Sequence, residues 1–472
     1  MISEFLKPSR VPLIPGYTKL PPFDQTDNRF VTPITLIFRV ESDDSRDSII
    51  QDLQDGLLNT IEEMPFLAAD VVPDDHERGT AQLETVEGGG VWFHVRDYPE
   101  LDIEVLERRK FTPASLPTQE LMPEPRHQDW ERCPVLNIQA TFITGGLILV
   151  TNCHHTAMDG TAMFVFVQTW AKNVGAVAEG RMVSDVMEPE CLDRTQSFAT
   201  HGSGNMHISE FTNYKVMKDG LVGDRLRELV RIALEGNTTH PSLGILRQLT
   251  TTYWNISQEF LQATKNAAPP SESETTGVTD KTLLSALLWR HISRARQLRS
   301  RGIKTTSVVN MVNIRRRLRP PLPLDYTGNA VVVAKATVSA EDVEAKMHLH
   351  ELAGRVSESI DWWTSERIWG YIGALDSAHE VLRVGADVNN FQGPDLEITD
   401  NGSHDLMDME WGPDLGAILG VRIPKIPTNE GWVLVLPSKR DSPLEVLISL
   451  DKETLARLRQ DEEWTSFATM YE

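Results

Sequence analysis

The stretch that decides the fold is residues 135–166, which read VLNIQATFITGGLILVTNCHHTAMDGTAMFVF. Two runs rich in β-branched and apolar residues, 135–144 and 147–152, flank the pair Gly145-Gly146. A Gly-Gly pair supplies the positive φ that a tight hairpin turn needs, so the stretch predicts two neighbouring antiparallel strands. The second strand leads into a histidine pair, and an apolar helical run begins at Gly160. The stretch therefore predicts an α/β domain built on a hairpin.

Strand and helix signals alternate on both sides of this stretch. Residues 33–40 predict a strand, and residues 43–64 predict a helix with an apolar stripe at i, i+3 and i+4. In the second half we predict helices at 280–298, 343–357 and 452–460, and strands at 307–313, 330–338, 433–436 and 444–450. We expect an N-terminal domain at 1–185, a polar crossover at 186–235 and a C-terminal domain at 236–472.

The charge of the chain excludes several kinds of partner. The 472 residues carry a formal net charge of −22. So acidic a surface argues against binding nucleic acid or docking on an anionic membrane. The sequence has no run of about 18 apolar residues and no apolar signal-peptide core near its N-terminus. We therefore expect a soluble, cytoplasmic protein that acts as a monomer on small molecules.

The cysteines and the histidine pair argue against a metal or disulfide framework. Cys133, Cys153 and Cys191 are odd in number, and their spacing matches neither a disulfide scaffold nor a zinc site. A reducing compartment fits this pattern. Adjacent histidines on an extended strand point to opposite faces, so His154 and His155 cannot share one metal ion. We expect no metal, and we interpret Cys153 as a buried, inert thiol instead of a nucleophile.

His155 is the candidate general base, because imidazole has the side-chain pKa nearest neutrality and an alcohol needs a base to become a nucleophile. It stands where a buried strand ends and a helix begins, a junction that directs side chains into a cleft. Asp159 has three open roles: it could orient the imidazole, brace the turn through an arginine, or cap the helix that starts at Gly160. We favour the bracing role, which leaves His155 alone as the base.

Several segments resemble one family, in the right order and across nearly the whole chain. The family is the BAHD acyl-CoA-dependent acyltransferases, including its fungal branch of trichothecene acetyltransferase-like proteins. The segments are His155 to Gly160 as His-X-X-X-Asp-Gly, the hairpin Phe142-Ile-Thr-Gly-Gly-Leu-Ile, Leu20-Pro-Pro-Phe-Asp-Gln, Glu62-Glu-Met-Pro-Phe-Leu-Ala-Ala-Asp, Asp280-Lys-Thr-Leu-Leu-Ser-Ala-Leu-Leu-Trp-Arg, Asn313-Ile-Arg-Arg-Arg-Leu-Arg, Tyr326-Thr-Gly-Asn-Ala and Leu444-Glu-Val-Leu-Ile-Ser-Leu.

The resemblance implies a fold and a reaction. The fold would be two chloramphenicol-acetyltransferase-like α/β domains, each a mixed β-sheet flanked by helices, joined by a crossover loop. A channel would run between them with His155 near its middle. Acyl-CoA, with acetyl-CoA favoured, would enter from one face as co-substrate, and a small-molecule alcohol from the other. The resemblance implies no bound cofactor.

The second family signature corresponds to Asp408-Met409-Glu410-Trp411-Gly412, where the family has Asp-Phe-Gly-Trp-Gly. In the family this loop is largely structural, and its aspartate pairs with an arginine, here Arg315 or Arg317. The resemblance makes Trp411 and Gly412 candidates for the acyl-CoA channel. Glu410 replaces a glycine, so an easy positive φ is lost there.

Further candidates follow from the same resemblance. Thr279 stands at the position where the family has a hydroxyl side chain near CoA. Residues Thr399 to Asn401 stand where many members have Thr-Ser-Trp, and Asn401 in place of tryptophan implies a more polar acceptor pocket. Simpler interpretations stay open: Arg315 to Arg319 as solvated charges, and Trp411 as a packing residue. Two rival functions also remain: an N-acyltransferase or condensation-type catalyst, and a binding relative that has lost activity.

Overall fold

A computed structural model describes residues 1–9, 13–26, 29–41, 45–123, 132–182, 186–197, 206–217, 249–267, 278–389, 393–424, 429–440 and 442–471. The helices in these ranges are α1 (Arg46–Glu63), α2 (Ile103–Arg108), α3 (Thr118–Leu121), α4 (Gly160–Ala178), α5 (Gln258–Asn266), α6 (Asp280–Arg296), α7 (Leu349–Asp361), α8 (Ser365–Asp376), α9 (Lys452–Leu458) and α10 (Glu462–Thr465).

The strands in the same ranges are β1 (Ile2–Leu6), β2 (Gly16–Lys19), β3 (Val31–Arg39), β4 (Asp70–Pro73), β5 (Ala81–Thr85), β6 (Val91–Asp102), β7 (Cys133–Pro134), β8 (Leu136–Thr144), β9 (Gly146–His154), β10 (Tyr214–Val216), β11 (Leu249–Ile256), β12 (Thr305–Asn313), β13 (Val331–Ser339), β14 (Val384–Ala386), β15 (Leu396–Asp400), β16 (Gly420–Arg422), β17 (Trp432–Val435), β18 (Leu444–Asp451) and β19 (Ala468–Met470).

The first large sheet is built around the predicted hairpin. Its strand order is β1-β6-β8-β9-β3-β16, with β6 and β8 parallel and the other pairs antiparallel. Gly145 turns the β8–β9 hairpin at φ +72°, a conformation that favours glycine. The apolar faces of α1 and α4 complete a shared core with this sheet. The hairpin prediction is confirmed.

The second large sheet has the order β13-β12-β15-β17-β18-β11-β19. β15 is parallel to both of its neighbours, and the remaining pairs are antiparallel, so this sheet is also mixed. Residues of α6 and α7 share its core. A four-stranded sheet, β2-β5-β4-β7, and the pair β10-β14 complete the described strands. Two mixed sheets with packed helices agree with the predicted two-domain α/β class.

Two segments make contacts across the predicted domain boundaries. β16 lies in the second half of the chain but pairs with β3 of the first sheet, and apolar residues between 406 and 421 belong to the first core. This part of the second half therefore packs with the first sheet, and the C-terminal domain at 236–472 stays a prediction. Within the crossover, Phe211 stacks on Trp363 at 5.9 Å between ring centroids. The described crossover therefore contacts both halves: Met187 and Leu192 pack against the first core, and Ile208 and Phe211 against residues of the second half. Residues 198–205 and 218–235 lie outside the described ranges.

One helix begins later than its apolar pattern predicts. The predicted helix 343–357 is observed at Leu349–Asp361. Its start coincides with His348, whose backbone N–H donates to the Glu351 carboxylate at 2.9 Å. Buried Val343 belongs to a separate turn before the helix. The apolar spacing continues from this turn into the helix, so the spacing alone placed the start of the helix too early. Across the described ranges, we find no helix whose length and apolar character would let it span a membrane.

Candidate active site

The turn between β9 and α4 places His155 at the junction of the two halves. The backbone N–H of His155 donates to the Phe30 carbonyl at 2.8 Å, and that of His154 donates to the Val135 carbonyl at 2.8 Å. These bonds tie the start of the turn to the first sheet. Its end is fixed by Asp159, the N-cap of α4, whose Oδ1 accepts from the Ala162 backbone N–H at 2.9 Å.

The imidazole of His155 is half-buried and packs on Phe30, with 5.1 Å between ring centroids. Its buried Nδ1 has no partner within the described residues that meets ordinary hydrogen-bond geometry. Burial lowers the pKa of His155, and the charge of Asp159, the carbonyl of His155 itself and the Asn329 amide act in the opposite direction. The ring is therefore neutral near pH 7, which is the form that can accept a proton.

Asp159 braces the turn through Arg315 and caps α4 at the same time. Arg315 binds the carboxylate with two nitrogens, at 2.8 Å and 2.9 Å, and the Ala330 backbone N–H adds a bond of 2.9 Å. Burial would raise the pKa of Asp159, but Arg315 and the two backbone donors outweigh it and lower that pKa. With both oxygens committed to these donors, the carboxylate stays ionised and faces Arg315.

The arginine pairing predicted for Asp408 is wrong. Arg315 is 1% exposed and also donates to the carbonyls of Tyr326 and Gly328. Arg317 contacts Asp361 at 3.3 Å at the end of α7. Asp408 itself is exposed. Arg315 is directed to Asp159 because a carboxylate buried at the domain junction needs a matched cation, whereas an exposed one is solvated by water.

The second signature loop packs at the far end of α4. Trp411 is buried edge-on against Phe38 and Trp170, at 5.3 Å from each. Gly412 has φ +94°, and a Cβ built there would lie 3.0 Å from that of Ala178. Glu410 avoids a positive φ and instead forms an isolated bridge to Ala417. These contacts are packing contacts, so neither Trp411 nor Gly412 is brought next to His155.

Polar side chains from the second half meet the first turn of α4. The Asn401 amide lies against Gly160, with its Oδ1 3.4 Å from the position of a Cβ built there. Thr399 is half-buried on the same strand end. The ring of His404 packs on Phe164 at 4.5 Å. Burial lowers the pKa of His404, with Lys281 acting in the same direction. The sequence prediction missed His404, because its segment resembles a surface loop.

Thr279 caps α6 and is exposed. Its Oγ1 accepts from the Thr282 backbone N–H at 3.2 Å. Two residues later, Lys281 pairs with Asp400 at 3.0 Å, so the start of α6 borders the Asn401 segment. The structure therefore brings His155, Asp159, Gly160, Arg315 and Asn401 together. Thr279 lies at the edge of this group as a capping residue.

Sequence reasoning also missed three buried groups beneath the turn, namely Asp24, Arg194 and Asn329. Arg194 pairs with Asp24 at 2.7 Å, and Asn329 donates to both Asp24 and the His155 carbonyl. Asp24 and Asn329 lie in segments that carry the family resemblance, which was the available signal. Arg194 gave none, because its partner is 170 residues away in the sequence.

The thiols and the acidic groups supply no second chemistry at this turn. All three cysteines are buried, and none of them is in a disulfide among the described residues. Burial raises the pKa of Cys153 to about 12. Among the described residues, one group could hold a metal ion: His291, Asp461 and Glu463. Asp461 already accepts from His291, and Glu463 pairs with Arg294 at 2.6 Å, so both carboxylates are occupied.

The sequence was also compared with known protein families. The model described as the Transferase family matches residues 3–465. The chain belongs to the Transferase family, the BAHD-type acyltransferases. This membership makes it an acyl-transferring enzyme, as the motif around His155 had indicated.

Two curated fungal relatives extend over nearly the whole chain. An acyltransferase of Emericella nidulans is 27% identical over 97% of this chain and 96% of its own length. The trichothecene 8-O-acetyltransferase of Fusarium sporotrichioides is 24% identical over 94% of this chain and 96% of its own length.

Two solved structures have the same fold. TRI101 of F. graminearum, solved with coenzyme A and T-2 mycotoxin, covers 97% of this chain and 100% of its own, with 20% identity and a TM-score of 0.81. Vinorine synthase covers 99% and 97%, with 16% identity and a TM-score of 0.64. At these identities the likeness establishes the two-domain acyltransferase fold.

Proposed function

We propose that this enzyme transfers an acetyl or other short acyl group from CoA to a hydroxyl of a small secondary metabolite, with His155 as general base. The observation that supports this most is the neutral, half-buried imidazole at the domain junction, together with a carboxylate that is committed to Arg315. An ionised Asp159 held by arginine leaves His155 as the titratable group of the turn that can exchange a proton near neutral pH.

The reaction proceeds by direct transfer. His155 removes the proton from the acceptor hydroxyl as its oxygen attacks the thioester carbonyl. A tetrahedral oxyanion forms and is stabilised by hydrogen-bond donors in the channel, which usually supply a large part of the rate. The intermediate collapses, the carbon–sulfur bond breaks, and the imidazolium returns its proton to the departing thiolate. The products are an ester and free CoA.

The polar side chains beside the start of α4, which we assign to the acceptor pocket, favour a polar, oxygen-bearing substrate. Asn401 and His404 both meet the first turn of α4, and Asn313 donates to the Thr161 hydroxyl at 3.1 Å beside them. An amide and a neutral imidazole can each donate to and accept from groups of the acceptor, whereas a tryptophan can only donate. Two of the fungal relatives are named as trichothecene O-acetyltransferases, which supports an oxygen acceptor for this enzyme too.

We also propose that the enzyme works as a cytoplasmic monomer. One chain supplies every group described at the turn, and none of its three cysteines is in a disulfide among the described residues. Light scattering in solution tests the monomer: a mass near 53.0 kDa is expected, and a stable dimer mass would contradict it. Fluorescent tagging in the source cells tests the compartment.

The function is tested with matched acceptors. The protein is incubated with acetyl-CoA and with pairs that differ only in the nucleophile, such as cyclohexanol and cyclohexylamine, alongside a trichothecene alcohol. Product masses and CoA thiol release are measured. We expect a gain of one acetyl unit on alcohols. Acetylation of amines alone would favour the N-acyltransferase, and no product together with no CoA binding would favour the inactive binding relative.

A further inference from the structure

The orientation of the His155 ring is not set by a carboxylate behind it. In a triad, an acidic side chain binds Nδ1 and holds the imidazole. Here both oxygens of Asp159 accept from Arg315 and from the backbone N–H groups of Ala162 and Ala330. Nδ1 of His155 lacks a well-formed bond within the described residues. The ring therefore takes its orientation from its own backbone, from the contact with Phe30 and from the Asn329 amide beside it.

That backbone is held by side chains from outside the turn. Nδ2 of Asn329 donates to the carbonyls of His155 at 3.0 Å and of Thr156 at 3.2 Å. A guanidinium nitrogen of Arg194 donates to the carbonyl of Ala157 at 2.6 Å. Three successive carbonyls thus bind two donors, one from the crossover and one from the second half. A turn that packed only on its own domain would not need a donor from the crossover or from the second half.

Both donors converge on Asp24. Its Oδ1 accepts from the backbone N–H of Asn329 at 2.8 Å and from the Asn329 side chain at 2.7 Å, and its Oδ2 accepts from Arg194 at 2.7 Å. The exposed fractions are 0% for Asp24, 5% for Arg194 and 3% for Asn329. Each group is fully enclosed, so its position is fixed by the others.

We propose that Asp24, Arg194 and Asn329 form a positioning bracket that fixes the His155 backbone and thereby aims its imidazole at the acceptor hydroxyl. The proposal rests on His155 acting as the base. The first domain supplies Asp24, the crossover supplies Arg194, and the second half supplies Asn329. The base is therefore oriented only when all three parts of the chain are docked.

The size of the effect follows from geometry. A misplacement of about 1 Å in a reacting group can lower a rate roughly 10²-fold. Asn329→Ala removes both donated bonds to the carbonyls of His155 and Thr156, while its backbone N–H still binds Asp24. We therefore expect turnover to fall roughly 10- to 100-fold without a change in acyl-CoA affinity.

A matched control is available in the second half. Asn213 is also buried, and its Nδ2 also donates to a carbonyl, that of Val333, at 2.8 Å. Asn213→Ala removes a bond of the same kind away from the turn. Both variants are compared with wild type for slow acetyl-CoA hydrolysis by thiol release, for the Kd of acetyl-CoA by calorimetry, and for melting temperature.

A second measurement does not need turnover. With ¹⁵N-labelled histidine, the ring signals of His155 are assigned by their loss in His155→Gln. We expect Asn329→Ala to shift or broaden them, because the freed backbone lets the ring take several orientations. Asn213→Ala should leave them in place.

The outcomes distinguish a failure of the bracket proposal from a failure of the proposal that His155 is the base. The bracket would be overturned if Asn329→Ala hydrolysed acetyl-CoA at the wild-type rate and its His155 signal were unchanged. It would also be overturned if Asn213→Ala lost as much hydrolysis rate, or if the loss of rate in Asn329→Ala arose entirely from weaker acetyl-CoA binding. If His155→Gln hydrolyses acetyl-CoA like wild type, the base assignment is contradicted. The histidine signals in Asn329→Ala still decide whether the bracket positions the ring.

Discussion

The two ends of helix α4 meet the rest of the chain through opposite kinds of contact. At its N-cap, Asp159 forms an ion pair with Arg315 in which each side chain is 1% exposed. At its last turns, Trp411 and Gly412 pack against apolar surface. The helix has 19 residues, so these ends lie about 28 Å apart at 1.5 Å per residue. Both ends match a family signature, but only the first places ionisable groups beside His155.

The largest effect is expected from Arg315→Ala at the first end. It leaves the Asp159 carboxylate buried without its cation, which typically costs about 3–5 kcal/mol of unfolding free energy. Turnover should also fall, because the turn loses its brace. Chemical denaturation and steady-state kinetics measure both.

The control for that variant is Arg296→Ala, which breaks the equally buried pair with Glu430 inside the second half. We expect a similar loss of stability, but normal turnover per folded molecule. A stability loss below about 1 kcal/mol for Arg315→Ala would contradict the bracing role of this pair.

A smaller effect is expected at the other end from Gly412→Ala. The residue holds φ +94°, and an added Cβ would meet that of Ala178 at 3.0 Å. Left-handed backbone costs an L-residue about 1–2 kcal/mol. Gly180 has φ +63° and no atom within 4 Å of a new Cβ. Gly180→Ala therefore measures the cost of the left-handed backbone alone, without the steric contact that Gly412→Ala adds. If Gly412→Ala instead raises the KM for acetyl-CoA at unchanged stability, this loop lines the channel after all.

Most of the fold could be predicted from the sequence where local pattern and tertiary contact agree. The Gly145-Gly146 hairpin and the helix after Asp159 are examples, because turn chemistry and apolar period are local properties. The position of β16 could not be predicted, since three residues (Gly420–Arg422) carry no pattern of their own and pair with β3 through distant contacts.

The candidate site divides in the same way. His155, Asp159 and Gly160 are adjacent in the sequence and were found together. The arginine was predicted to pair with Asp408, but Arg315 pairs with Asp159. Burial at the domain junction decides which carboxylate needs a cation, and burial cannot be read from the local sequence. Arg194 and His404 were missed since each lies in a polar segment that resembles exposed surface.

A modest effect on the acceptor is expected from Asn401→Leu at the first end of α4. The loss of one hydrogen bond of about 0.5–1.5 kcal/mol should raise the KM for the alcohol roughly two- to tenfold. The KM for acetyl-CoA should stay constant if the Asn401 amide, which lies against Gly160, faces the acceptor as proposed. Equal rises in both KM values would place Asn401 outside the acceptor pocket.

The smallest effect is a displacement of the pH profile. Burial lowers the pKa of His155, and only the neutral ring accepts a proton. The acid limb of kcat/KM should therefore have its midpoint below the ordinary histidine value of about 6.5, with activity lost as pH falls through it. Gly412→Ala should keep the same midpoint. A midpoint above 7 would mean that the ring is charged at neutral pH.

The central claim is that the imidazole of His155 performs the proton transfer. The most direct measurement compares His155→Gln with wild type for turnover at saturating acetyl-CoA and alcohol, with acetyl-CoA affinity and melting temperature determined in parallel. The predicted result is a loss of about 10²–10⁴-fold in kcat with affinity and melting temperature unchanged. A glutamine variant that turns over at the wild-type rate would contradict the claim.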